Sequence, residues 1–235
     1  MIDALILRLE APLVSFGGVI IDQNGVTRLF PARSMLAGML GNALGYDHRD
    51  AAALQALQER LRYAVRCDKP GEPLRDYQTV DLSQPFLQRG WTTRGIAQGR
   101  AGAEATRTGT HIRYRDYLAD AVYTVALALE PPNRDPDAAR LEHALRAPAR
   151  PLFIGRKPCL PATPILLSRI EAADLRDALA RAPLSARASD QRRLRAWFAA
   201  EGASERAAVP VTDERDWTNQ IHVGRRFVVE DFIDV

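Results

Sequence analysis

Between Arg150 and Pro164 the chain reads Arg-Pro-Leu-Phe-Ile-Gly-Arg-Lys-Pro-Cys-Leu-Pro-Ala-Thr-Pro, and its clearest chemistry is concentrated there. A short apolar run, Leu152-Phe153-Ile154, meets Gly155, and two cations, Arg156 and Lys157, follow at once. Prolines at 151, 158, 161 and 164 fix φ and forbid a helix. They also push the residues before them into extended conformations. The outcome is a stiff loop in which one glycine permits close approach of the backbone to another group, with positive charge beside it. Such a loop suits a phosphate backbone. The same residues also suit a Pro-rich connector with solvated cations, and the loop alone does not choose. Other chemistries find no support. Cys67 and Cys159 have neither metal-ligand spacing nor a CxxC pairing. There is no P-loop, GxGxxG, GxSxG or metal-ligand cluster, and no metal or cofactor is expected.

Charge points the same way as the loop. Lysine occurs only at 69 and 157, so 30 of the 32 basic residues are arginine. High-GC codon usage explains most of that bias, yet arginine also binds phosphate bidentately and stacks on bases. The net charge is +3, but residues 86–115 hold Arg89, Arg94, Arg100, Arg107, Arg113 and Arg115 against Glu104 alone, a local +5. One segment carries the whole excess, as a polyanion contact would require.

The elements that must position these groups follow from 235 residues of ordinary globular composition, 46% hydrophobic and 26% charged. Residues 2–9 alternate as a strand with Leu5, Leu7 and Leu9 on one face. Residues 11–18 break it, and Asn24-Gly25 signals a turn. A helix follows with Ser34 as N-cap and Gly45 as stop. Arg33 and Ser34 then sit where free N–H groups and the helix dipole favour an anion, although simple capping explains Ser34 as well. A second helix starts at Asp50, and strands are expected at 63–67 and from 76. Residues 81–115, rich in glycine and arginine, suit a protruding hairpin. The surest strand is 117–129, and a helix at 137–146 leads into the glycine-bearing loop. After 165 helices are expected at 171–181 and 190–200, and strands at 209–211 and 226–229. The order predicts an α+β fold of ferredoxin-like, RNA-recognition type over 1–165, with a basic hairpin inserted at 81–115. Residues 166–235 are expected as a small C-terminal α/β unit. The longest apolar run, 121–129, is too short to span a bilayer. The N-terminus shows no signal-peptide pattern, and a reducing cytoplasm is the expected compartment.

Several blocks in order give the sequence a family resemblance. They are Leu9-Glu10-Ala11-Pro12-Leu13-Val14-Ser15-Phe16-Gly17, Pro31-Ala32-Arg33-Ser34-Met35-Leu36-Ala37-Gly38-Met39-Leu40, Val65-Arg66-Cys67-Asp68, Asp76-Tyr77-Gln78-Thr79-Val80, Arg115-Asp116-Tyr117-Leu118-Ala119-Asp120-Ala121 and Pro151-Leu152-Phe153-Ile154-Gly155-Arg156-Lys157-Pro158. Together they resemble the Cas-five family of CRISPR proteins over about residues 5–165, and within it the CasD-like subunits of type I-E Cascade. The resemblance implies a RAMP subunit without catalysis, holding the five-prime handle of crRNA between a ferredoxin-like palm and a thumb. It implies contacts with the Cas-seven backbone subunit and the Cascade large subunit, target DNA reached only through the complex, and no membrane. Segment 81–115 falls where the thumb would be.

On that reading the candidates for phosphate and base contacts are Arg28, Arg33, Ser34, Arg66, Arg94, Arg107, His111, Arg113, Arg115, Arg156 and Lys157, with Trp91, Tyr77 and Tyr114 as stacking surfaces. Arg107, Arg113, Arg156 and Lys157 rank first. Two alternatives differ in class. A type I-C relative is an endoribonuclease, and metal-free RNA cleavage needs a base on the 2′-OH, an acid for the leaving oxygen and a cation on the phosphate. Tyr46, His48, His111 and Lys157 are the residue types for it. A pure protein scaffold would instead set the arginines against acidic partner surfaces.

Overall fold

The structure, a computed structural model, describes residues 1–84, 109–188, 190–200 and 208–235, and the backbone of 89–91 and 97–99. Its strands are β1 (Ile2–Val14), β2 (Asn24–Gly25), β3 (Leu61–Lys69), β4 (Glu72–Asp81), β5 (Arg89–Trp91), β6 (Ala97–Gly99), β7 (Thr110–Leu129), β8 (Leu166–Ala172), β9 (Arg193–Ala199), β10 (Ala208–Val211), β11 (Glu214–Asp216), β12 (Ile221–Val223) and β13 (Arg226–Asp234). The helices described are α1 (Arg33–Leu44), α2 (Ala51–Arg60), α3 (Ala138–Arg146) and α4 (Leu175–Arg181).

The alternating apolar residues of 117–129 build the centre of the sheet, but β7 reaches back to Thr110 and is 20 residues long. Its C-terminal half lies between β1 and β3, and its N-terminal half pairs with β4 from Glu72↔Ala119 to Asp81↔Thr110. β3 and β4 both run antiparallel to β7, so together they trace one path along it, broken at Pro70-Gly71. Gly71, at φ 75°, lets that break lie directly against Ala119 and Ala121. The ten residues of β4 carry the hairpin on by about 33 Å as an arm. Most of the hairpin expected at 81–115 lies outside the described residues, and the pairing that is described runs from 72 and 119 to 81 and 110. β5 and β6 pair with each other between its strands.

The sheet runs β10-β13-β9-β3-β7-β1-β8, with β2 and β4 also on β7, and every pair is antiparallel except β2–β7. One face, with Leu5, Leu7, Leu9, Val65, Tyr123, Val125 and Leu127, packs on Leu36 and Leu40 of α1, Leu57 of α2, and Leu141 and Leu145 of α3. Each such fully buried leucine contributes roughly 1.5–3 kcal/mol. The opposite face is lined by smaller residues, Ala4, Ala64, Ala126 and Ala196, which let α4 sit close through Ala178 and Leu179.

Several expectations are corrected. Residues 190–200, expected helical, contain strand β9: Leu194 and Ala196 face inward while Arg195 alternates with them, and the slot between β3 and β13 requires a strand. Arg- and Ala-rich composition hid a period of two. Of 171–181 only the second half is helix, because β8 pairs with β1 up to Ala172. β1 runs through Pro12 to Val14, since its pairing with β8 ends at Leu7 and no donor is needed on that edge. Asn24-Gly25 is a short strand on β7, and the turn lies just before it at Asp22-Gln23, closed by the mutual bonds of Ile21 and Asn24. Strands after 165 bond to strands before it, so the expected division there falls inside one sheet.

Candidate nucleic-acid interface

The loop from 150 to 165 is irregular as its prolines demand, and it is tied down from within. Gly155 takes φ 90°, and a Cβ there would overlap the carbonyl oxygen of Ser15. The close approach that its glycine permits is thus to β1's own exit, reinforced by Ser15 N–H donating to the Ile154 carbonyl at 3.2 Å. Arg156 is held just as firmly. Its Nη1 donates to the Asp116 carbonyl (3.0 Å), its Nη2 to the Gly25 carbonyl (2.7 Å), and its guanidinium lies 4.9 Å from the centre of the Tyr117 ring. Lys157, next in sequence, is exposed and makes no hydrogen bond or ion pair among the described residues.

Gly25 is where loop and arm meet. A Cβ on it would come to 2.8 Å from Arg156 Nη2 and 2.9 Å from Arg115 Cδ, so the missing side chain seats two guanidinium groups side by side. Arg115 also donates through Nη1 to the Tyr114 carbonyl at 3.0 Å. From this point the arm presents two different faces, because strand residues alternate. His111, Arg113, Arg115 and Tyr117 share one face. The other carries Tyr77 opposite Tyr114, rings 5.6 Å apart, and Arg75 paired with Asp116 at 2.7 Å. Arg75 and neighbouring groups hold the Asp116 carboxyl below the usual carboxylate range. His111 is exposed, and neither it nor Arg113 has an ion-pair or hydrogen-bond partner among the described residues. A row of cations therefore runs from the arm through Arg115 and Arg156 to Lys157, while the aromatic pair looks the opposite way.

Beside α1 a cavity of about 580 Å³ opens next to this row. Met35, Met39, Phe153 and Trp217 line it, together with Tyr46, His48, Arg150 and Lys157. Arg150 fixes its edge by donating to the carbonyls of Gly45 (2.6 Å) and Tyr46 (2.7 Å) at the end of α1. Three of the four acid–base candidates thus share one cavity, whereas His111 stays on the arm.

Known proteins resemble this chain in sequence and in fold. The sequence model of the family described as CRISPR-associated protein (Cas_Cas5) matches residues 4–229. The chain belongs to the Cas-five family. It is 35% identical over 175 residues to the CRISPR system Cascade subunit CasD of Escherichia coli (strain K12), covering 74% of this chain and 75% of that one. A chain of a CRISPR RNA-guided surveillance complex superposes with a TM-score of 0.68 at 26% identity, over 99% of this chain and 90% of that chain. A crystal structure of a Cas protein gives 0.64 at 26% identity, over 98% and 95%.

Within this Cas-five chain, several sequence candidates are used internally. Arg66 is the plainest correction: its side chain has no exposure at all. It pairs with Asp68 at 2.7 Å and donates to the carbonyls of Leu179 (2.5 Å) and Ala182 (3.1 Å), so it closes the end of α4 and cannot reach RNA. The N-terminus of α1 is likewise filled from within. The Asp213 carboxylate accepts from the Arg33 N–H at 3.1 Å, and the Asp213 carbonyl accepts from the Ser34 N–H at 2.9 Å. Arg226 pairs with the same carboxylate at 2.7 Å and also reaches the Tyr63 hydroxyl. Burial alone would raise Asp213, but the Arg226 guanidinium and the Arg33 N–H hold it below its ordinary range, while burial pushes the Tyr63 hydroxyl up. The anion expected at this helix start is thus the chain's own. Ser34 is not the cap; Ala32 is, and Ser34 is buried in the first turn. Arg33 pairs with Glu214 at 2.5 Å, and Arg28 donates to the Thr212 carbonyl at 2.7 Å. Arg94 and Arg107 lie outside the described residues, as does the side chain of Trp91. Both cysteines are buried, and burial pushes Cys67 up to about 11. No described helix is long and apolar enough to cross a membrane. Sequence reasoning missed Trp217 and Arg150 in the cavity wall and Asp213 at the helix start; no local pattern marks them, because each acts through a contact more than a hundred residues away.

Proposed function

We propose that the chain is a non-catalytic RNA-binding subunit of a type I-E CRISPR Cascade surveillance complex, gripping the five-prime handle of crRNA in antiviral defence. The observation that carries this is the row of arginines on one face of the arm, Arg113 and Arg115, continuing into the pinned Arg156 and exposed Lys157, with His111 on the same face. Like charges are aligned there at strand spacing with few acids to neutralise them, the arrangement a phosphate backbone neutralises. The family, and the CasD relative's membership in Cascade, support the setting. On this reading the sheet and α1 to α3 form a ferredoxin-like palm and the arm is the thumb. The Cas-seven backbone subunit and the large subunit are its protein partners, and target DNA is met only through the assembled complex.

The test is RNA affinity of the full chain against salt, then assembly with crRNA and the other subunits. Wild type should show a steep slope, about 0.7 in log units per phosphate neutralised, and should assemble. Arg113→Glu should flatten the slope and lose RNA-containing complex without losing fold. Weak, salt-indifferent binding by wild type would leave a protein scaffold as the better account.

One observation favours a second reading, metal-independent RNA cleavage: Tyr46, His48 and Lys157 line one cavity. Cleavage of repeat RNA in the presence of a chelator, abolished by His48→Ala, would put that reading first. The proposed function expects uncut RNA.

A further inference from the structure

The cavity beside α1 has the make-up of a seat for a flat aromatic group with an anion attached. Its floor is apolar, from Met35, Met39 and Phe153, and one wall is the indole of Trp217. That indole is fixed: its Nε1 donates to Gln58 at 3.2 Å, and the guanidinium of Arg215 lies 5.6 Å from the ring centre. Gly38 of α1 faces it, and a Cβ there would stand 3.3 Å from Trp217 Cη2, so the glycine keeps the space open. Among the described residues Lys157, which also lines the cavity, has no hydrogen-bond or ion-pair partner, and the one carboxylate in the lining, Asp47, already accepts from Arg49 and has its charge partly offset there. A volume of about 580 Å³ lies within the range of sites that enclose small organic ligands. An apolar cavity with one fixed indole, a second aromatic ring and an exposed cation in its lining suits an unstacked base and its phosphate.

Resting on the RNA-binding reading, we infer that this cavity takes one flipped-out nucleotide of the bound strand, its base between Trp217 and Phe153 and its phosphate at Lys157. The arm then holds the backbone without regard to sequence, and the cavity takes a base.

The test is photocross-linking of the full chain to single-stranded RNA of roughly eight nucleotides carrying 5-iodouridine, with adducts mapped by mass spectrometry. Adducts are expected on Trp217 or Phe153. Gly38→Leu, which fills the slot, should reduce them about tenfold while adducts on the arm persist, and Lys157→Ala, at an exposed position, should reduce them severalfold. RNA that binds and cross-links only to the arm overturns the inference and leaves the proposed function standing. Adducts at Trp217 undiminished by Lys157→Ala overturn it too, even if Gly38→Leu does not fold. Failure of the wild-type chain to bind RNA at all sinks both together.

Discussion

At the start of α1 and along the arm the chain sets out the same residue type to opposite effect. Around α1, Arg226 and Arg33 are paired with Asp213 and Glu214, and the helix N-terminus already holds a carboxylate. On the arm, Arg113 and His111 have no partner among the described residues. A guanidinium paired with a carboxylate adds little attraction for a phosphate, whereas one without an acidic partner keeps its field, even where carbonyls orient it as they do Arg156. The difference teaches that the partners of an arginine, rather than its presence, separate cohesion from recognition in so Arg-rich a chain.

The comparison breaks first, and hardest, at Asp213. Asp213→Ala should cost about 3–5 kcal/mol, because it leaves the Arg226 guanidinium buried and uncompensated; urea unfolding measures it. A loss no larger than that of Arg113→Ala, which should leave stability unchanged, would erase the distinction between the two regions. The pH dependence follows from direction. The folded carboxyl of Asp213 lies below its ordinary value, so its contribution is present above the unfolded carboxylate pKa of about 3.9 and is lost as pH falls through the folded value. Asp213→Asn should therefore flatten the acid limb of the stability curve and lower its plateau.

Gly155→Ala comes next. It places a side chain at φ 90° and against the Ser15 carbonyl, so the loop must leave β1. Backbone strain of that kind costs of order 1–3 kcal/mol. Because Arg156 follows directly, RNA affinity should fall together with the thermal midpoint. A midpoint shift with affinity unchanged would mean that the loop's seat does not set the grip.

How much of this was legible beforehand depends on the range of the contacts. The central strand, α1 with its left-handed stop at Gly45 and α3 could be read, since each is written in local spacing or in a stop residue. β9 could not, because its strand state is imposed by β3 and β13, and residues 190–200 alone look helical. Among the cations, Arg113 and Lys157 were picked for their charge and stand where charge is available. Arg66 was picked on the same ground and is entombed, because nothing near it in sequence announces the carbonyls of Leu179 and Ala182. Gly155 was read correctly as a point of close approach, but the group approached is Ser15 rather than a ligand.

The smallest expected effect is the sharpest test of the arm's two faces. Arg75 lies two residues from Tyr77 on the aromatic face, is paired with Asp116, and sits 6.0 Å from the centre of the Tyr114 ring. Exposed pairs of this kind hold little stability, so Arg75→Ala should leave the thermal midpoint where it is. Its charge is already met by Asp116, and its face is turned away from Arg113. The salt slope of RNA binding should therefore not change, whereas Arg113→Ala should lower it by about 0.7, the share of one phosphate on a single strand. Equal losses from the two substitutions would mean that RNA wraps both faces of the arm, and the division between a cationic grip and an aromatic back would not hold.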